Sequence, residues 1–305
     1  MPVTYDVPSQ TGRRLVVTGS NTGIGKEVAR RLALAGAQVV MGVRSIEKGE
    51  AARADILRQA PAADIEVRHV DLADLASVRA FADTLLADGR PLHVLVNNAG
   101  VVVAPRKRVE TKDGFELQIG SNFLGPFALT NLLLPLLLRS PQPRVATMAS
   151  AAANWGRIRF DDLQWRRSYS PNRGYAQSKL ADMMMARHLA VVADERGWPL
   201  LSTVAHPGWT LSHAQAADAA QPDRLPAQRR SILPTQGVEA GAEPLLFAAT
   251  SPDARQGTYY GPSRRLGLVG PTKVTQIPRS ARSLAAAARL WAVAEELTRT
   301  HLPQA

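Results

Sequence analysis

Between Arg14 and Gly25 the chain reads RLVVTGSNTGIG, and few folds accommodate such a run. Four residues of strand-type composition, Leu15 to Thr18, lead directly into glycines at Gly19, Gly23 and Gly25. An amphipathic pattern begins at Ile24 and continues to about Leu34, so the run predicts a buried strand, a tight turn and a helix start. A unit of this kind is an anion site. Glycine lets the backbone come close to a phosphate, and the helix N-terminus offers unpaired N–H groups and the positive end of its dipole.

Composition narrows what surrounds this unit. The 305 residues suit one large α/β domain or two small ones, and a hydrophobic fraction of 45% supplies a full core. There is no cysteine, which excludes disulfides, cysteine-based zinc sites, iron–sulfur clusters and a thiol nucleophile; no metal is expected in the site. The opening MPVTYDVPSQTGRR lacks the apolar core of a secretory signal. The most apolar run, Phe123 to Leu138, contains Pro126, Asn131 and Pro135 and is expected to be a buried helix too short to span a bilayer. A cytoplasmic protein with no integral membrane segment is therefore expected. The formal net charge of +11 is carried by scattered clusters such as Arg106-Lys107-Arg108 and Arg264-Arg265. No basic arm or aromatic-interleaved strand accompanies it, so the charge reads as solvated surface that attracts anionic small molecules, not nucleic acid.

Further along, short apolar strands alternate with helices. Strands are expected at Ala37 to Val43, Asp64 to Val70, Leu92 to Val96, Arg144 to Met148 and Leu200 to Ala205, with a short last one at Thr258 to Tyr260. Helices are expected at Ile46 to Gln59, Leu75 to Leu86, Asp113 to Arg139 with a bend near Gly125-Pro126, Tyr175 to Glu195, Val238 to Ala249 and Ala281 to Thr300. Repeated strand–helix units imply an α/β fold with a doubly wound parallel sheet, and strands without polar alternation imply a sheet covered on both faces. No repeat or linker interrupts the pattern. One domain over 1–305 is expected, with a core at about 13–261, an insert at about 209–233 and a C-terminal helical extension at about 262–305.

Ligands of doubly wound sheets bind beyond the C-terminal strand ends. There this chain carries the glycine turn, Arg44-Ser45, Asp71, the run Asn97-Asn98-Ala99-Gly100, Ser150 and His206-Pro207-Gly208. Arg44 stands where a dinucleotide site preferring NAD places a carboxylate for the ribose hydroxyls; an arginine there suits a 2′-phosphate and points to NADP(H). Tyr175 and Lys179, in GYAQSKL, are four apart and share a helix face. A tyrosine is a poor acid or base at neutral pH, but an adjacent ammonium stabilises its phenolate, so the pair suits proton exchange with a carbinol oxygen. Ser150 supplies a hydroxyl to hold that oxygen.

Together, TGSNTGIG at Thr18 to Gly25, NNAG at Asn97 to Gly100, Ser150 and YAQSK at Tyr175 to Lys179 resemble the short-chain dehydrogenase/reductase family over about Arg13 to Gly261. The resemblance implies a Rossmann-type fold and a catalytic set of Asn122, Ser150, Tyr175 and Lys179, with Asn122 helping to position the lysine through a water. It implies that Gly19, Ser20, Asn21, Thr22, Gly23 and Ile24 line the cofactor phosphates and ribose, that Arg44 selects NADP(H), and that Asp71 with Leu72 holds adenine. Asn98, Ala99 and Gly100 would line the ribose side, Lys179 would bind the nicotinamide ribose hydroxyls, Tyr175, Pro207 and Gly208 would also line the cofactor, and Ser212 would contact the nicotinamide amide, with Thr210 competing for that contact.

Three details resemble the branch of retinol dehydrogenases and bacterial carbonyl reductases: the long gap from Ser150 to Tyr175, the segment Phe160 to Ala181, and the terminal RLWAVAEELT. That branch implies a bulky apolar alcohol or carbonyl substrate. Trp155 and Trp209 are candidates for pocket walls or for core packing. A non-catalytic NADP(H)-binding regulator on the same fold is the alternative; such a protein is expected to have lost the tyrosine or lysine.

Overall fold

The computed structural model describes residues 4–102, 104–210 and 234–303. Its centre is an eight-stranded sheet in the order β3-β2-β1-β4-β5-β6-β7-β8. The strands are β1 Arg14–Thr18, β2 Gln38–Val43, β3 Ile65–His69, β4 Val94–Asn97, β5 Arg144–Met148, β6 Leu201–Ala205, β7 Tyr259–Arg264 and β8 Val269–Val274. The first seven run parallel and β8 pairs antiparallel with β7.

Both faces of the sheet are covered, which accounts for the unbroken apolar strands. In β1, Leu15 and Val17 face one core and Val16 the other, all fully buried. One core is closed by α1 (Gly23–Leu34), α2 (Ile46–Gln59) and α6 (Val238–Thr250). The other is closed by α3 (Leu75–Ala87), α4 (Gly125–Leu137), α5 (Pro171–Glu195) and the C-terminal α7 (Leu284–Thr298). α7 is tied to α4 by Trp291, whose ring meets Phe127 edge-on at 4.7 Å between centroids.

The structure departs from the sequence expectations in four places. The helix expected from Asp113 begins later, because the Glu116 carboxylate accepts from the backbone N–H groups of Gln118 and Ile119 and so caps the start. It opens as a π-helical turn, Ile119–Leu124, that runs straight into α4. The joined run Ile119–Leu137 has the length and apolar composition to cross a membrane, so the expected shortness does not hold; 89% of its most apolar window is buried inside the fold. α5 starts one turn before Tyr175, with Pro171 in its first turn, where the missing N–H costs no helical bond. The region expected as a helical extension begins instead with a hairpin: β7 continues to Arg264 and β8 follows, a half-exposed edge strand whose Gly270 and Pro271 hid it in the sequence.

Candidate active site

Two turns at the C-terminal edge of the sheet are stitched together. Thr18 Oγ1 accepts from the backbone N–H groups of Asn98 and Ala99, each at 3.1 Å. Asn98 Nδ2 returns a bond to Thr18 O at 2.9 Å. The stitch needs glycine: a Cβ on Gly19 would lie 2.8 Å from Ala99 Cα, and one on Gly25 would run into the Gly19 carbonyl and the Asn98 amide. Gly19 also has φ +67°, a conformation that side chains oppose. α1 then begins at Gly23 with Thr22 as its cap residue, and no side chain caps it, so its first N–H groups stay free for an anion.

From this turn a cleft of about 420 Å³ extends in both directions. One end is lined by Arg44, Asp71 and Leu72, the middle by Gly19, Asn21, Thr22, Gly23, Ile24, Asn98, Ala99 and Gly100, and the other end by Tyr175, Lys179 and Pro207. Arg44 is exposed at the end of β2, while the next residue, Ser45, caps α2 by accepting from Lys48 N. Asp71 Oδ1 accepts from Ala73 N at 2.9 Å, holding the strand end in a turn.

Tyr175 and Lys179 come from the second turn and the middle of α5. The Lys179 ammonium is buried and donates to Met148 O at the end of β5 and to Asp182 Oδ2, both at 2.8 Å. Burial opposes its charge, but Asp182 and Tyr175 together hold it above the ordinary lysine range. The Asp182 carboxyl is pushed up to about 6 by burial, against the pull of the ammonium. Asn122, in the π-helical turn, accepts from Val101 N at 2.6 Å and donates to Val101 O and to Ser178 Oγ. Gly100 lies between these groups: a Cβ there would sit 3.3 Å from Lys179 Nζ and 3.4 Å from Asn122 Oδ1.

Other sequence candidates lie at the margin. Ser150 lies two residues beyond the end of β5 and is not on the cleft wall, which Met148 and Ala149 form; its Oγ accepts from Ala152 N at 3.2 Å, and its carbonyl accepts from Tyr259 OH at 3.5 Å. Burial raises the Tyr259 hydroxyl above the usual tyrosine range, so it remains a donor. The Ser20 side chain is fully buried beneath the turn and off the cleft wall. Gly208 is not on the wall either; it packs on the Leu268 carbonyl with φ +64°. Thr210 Oγ1 donates to Pro207 O at 2.6 Å. Ser212 and most of the expected insert lie outside the described residues. Trp155 and Trp209 are 68% and 45% exposed, so neither is core packing.

Asp182 and Ser178 join the site without standing in any of the motifs' named positions. Both carried a signal, since each lies three residues after a member of the Tyr175–Lys179 pair and so on its face of the helix.

A doubly wound sheet with a glycine turn, a cleft across its C-terminal edge and a Tyr-Lys pair at one end defines a dinucleotide-binding α/β protein. The short chain dehydrogenase family model matches residues 13–222, and the chain belongs to that family of oxidoreductases. Mouse retinol dehydrogenase 12 is 37% identical over 289 residues, covering 94% of this chain and 86% of the relative. The crystal structure of an uncharacterized protein from Mycobacterium Paratuberculosis is 41% identical, with a TM-score of 0.81 and 98% of each chain covered. A structure from Beutenbergia cavernae, described as an NAD(P) dependent gluconate 5-dehydrogenase with bound NADP, is 27% identical with a TM-score of 0.62, covering 82% of this chain and 95% of that one.

Proposed function

We propose that this protein is an NADP(H)-dependent oxidoreductase that moves a hydride between the nicotinamide and the carbinol or carbonyl carbon of a bulky apolar substrate. The observation that carries this reading is the continuity of one cleft from Arg44, past the glycine turn, to Tyr175 and Lys179. A dinucleotide fits the residues present. The uncapped start of α1 and the glycines would take the pyrophosphate, Asp71 and Leu72 the adenine, Arg44 the 2′-phosphate, and Lys179 the nicotinamide ribose. When bound, the nicotinamide supplies or accepts the hydride.

The protein's own work is on the proton. The Tyr175 hydroxyl gives its proton to the substrate oxygen during reduction and takes it back during oxidation, and the Lys179 ammonium stabilises the phenolate between the two states. Ser150 Oγ accepts from Ala152 N, so among the described residues its O–H stays a free donor just behind the wall that Met148 and Ala149 form, and in this reading it turns to the same substrate oxygen. The apolar substrate class is supported by likeness to a relative named for retinol, and NADP(H) by Arg44 together with a neighbour that holds NADP.

The test is Tyr175→Phe, assayed with NADPH against a panel of ketones and aldehydes and with NADP against secondary alcohols. The variant is expected to bind NADPH normally, followed by nicotinamide fluorescence, and to lose about a thousandfold in kcat. Undiminished turnover would overturn the mechanism. A preference for small hydrophilic substrates would overturn the substrate class.

A further inference from the structure

Lys179 is matched by a buried carboxylate that the proposed chemistry does not use. Asp182 lies one turn further along α5 and is 1% exposed, with Lys179 at 3%. Asp182 Oδ2 accepts from Lys179 Nζ at 2.8 Å, while Asp182 Oδ1 has no hydrogen-bond partner among the described residues. An ammonium has three N–H groups. Met148 O and Asp182 take two, which leaves one for the wall where Lys179 meets the cleft beside Gly100.

Taking two charges out of water is costly, and a buried ion pair is weak evidence of stabilisation for its own sake. Its electrostatic effect on a neighbour is larger. A lone ammonium one turn from Tyr175 would act on the phenolate as a full charge; with a carboxylate in contact it acts as the nearer end of a dipole. The other groups facing the pair add little charge. Asn122 from the π-helical turn and the Met148 carbonyl from β5 are uncharged. Burial keeps Tyr259 of β7 protonated and the His206 ring, 5.0 Å from Tyr259, neutral.

We propose that Asp182 is a positioning residue for the Tyr175–Lys179 pair: as the buried counter-ion of Lys179 it fixes the ammonium between β5 and the cleft and limits the positive charge felt by the Tyr175 hydroxyl. This rests on the reading of Tyr175 as the acid/base group. Removing the carboxylate charge leaves the ammonium uncompensated, which favours the phenolate. The pH dependence of turnover therefore moves to lower pH in both reaction directions, since reduction needs the phenol and oxidation the phenolate.

The experiment compares wild type, Asp182→Asn, Asp182→Leu and Asp182→Glu. Profiles of kcat/KM against pH are recorded for acetophenone with NADPH and for 1-phenylethanol with NADP. In parallel, tyrosinate ultraviolet absorbance is titrated on the cofactor-free proteins, with Tyr175→Phe subtracted to isolate the one hydroxyl. The uncharged variants are expected to shift both midpoints down by about one pH unit, and Asp182→Glu to return them toward wild type. Asp182→Leu carries the same expectation if the asparagine variant does not fold. Wild-type midpoints in a folded uncharged variant would overturn the proposal, as would a change in NADPH affinity with no movement of either midpoint. The titration needs no turnover, so failure of the Tyr175 mechanism and failure of the Asp182 role give separate results.

Discussion

Asn122 grips the backbone of Val101 from both sides, accepting from its N–H at 2.6 Å and donating to its C=O at 3.1 Å. The same amide group donates to Ser178 Oγ at 2.9 Å, and Ser178 in turn donates to the Tyr175 carbonyl. One side chain thereby joins the loop after β4, the π-helical turn and α5. The amide gives Val101, which lies outside any helix or strand, the backbone partners that a ladder would otherwise supply.

Asn122→Ala is therefore expected to cost about 3 kcal/mol, because it leaves the Val101 N–H and C=O and the Ser178 hydroxyl short of a buried partner. Urea denaturation measures the loss, and NADPH titration should show weaker binding as the Asn98 to Val101 wall loosens. Wild-type stability would show that the grip contributes nothing net.

Gly25→Ala attacks the turn. The added methyl has no room between the Gly19 carbonyl and the Asn98 amide, both fixed by the stitch to Thr18. Overpacking of this kind costs about 1–3 kcal/mol, and since the displaced atoms line the cleft, NADPH affinity is expected to fall at least about tenfold. Calorimetric Tm and fluorescence titration would separate the two effects. Unaltered affinity in a folded variant would remove the turn from the cofactor site.

Arg44→Asp tests the cofactor preference. Arg44 is exposed and makes no hydrogen bond or ion pair among the described residues, so replacing it should leave the fold unchanged. Loss of a charge-assisted contact and introduction of a carboxylate should raise the KM for NADPH by about ten- to a hundredfold, with that for NADH falling or unchanged. Parallel increases for both cofactors would show that Arg44 does not read the 2′-phosphate.

His206 predicts a pH effect on stability. Burial lowers its imidazolium to about 4 from an ordinary value of 6.5, and its Nδ1 accepts from Gly208 N. In the unfolded chain the ring takes up a proton near 6.5, whereas the folded protein resists until about 4. The unfolded state thus binds more protons in that window, and stability falls as pH drops through it, by on the order of 3 kcal/mol. Denaturation midpoints at the two ends of the window, compared between wild type and His206→Gln, isolate the contribution. An equal slope in both proteins would mean that other groups carry it.

Much of this molecule is written locally. Hydrophobic strands buried on both faces, the glycine turn, Arg44 at the end of β2 and the four-residue spacing of Tyr175 and Lys179 all depend on near neighbours in the chain, so periodicity and spacing exposed them. The edge hairpin was hidden because Gly270 and Pro271 carry no strand propensity; its pairing with β7 supplies what the local sequence lacks. The late helix start was hidden because the Glu116 cap looks like any surface acid until its carboxylate is seen on two backbone N–H groups.

What the sequence determined by itself was the fold class, the family and most of the residues that line the cleft. What only the tertiary structure decided was how those residues are engaged: Asn122 on the Val101 backbone, Ser20 buried beneath the turn, Ser150 off the cleft wall, and Lys179 shared between Met148 and Asp182. The physical reason is range. Propensity and periodicity act over a few residues, whereas the partners of a buried polar group are set by strands and helices that meet from distant parts of the chain, as β5 meets α5 at the Lys179 ammonium.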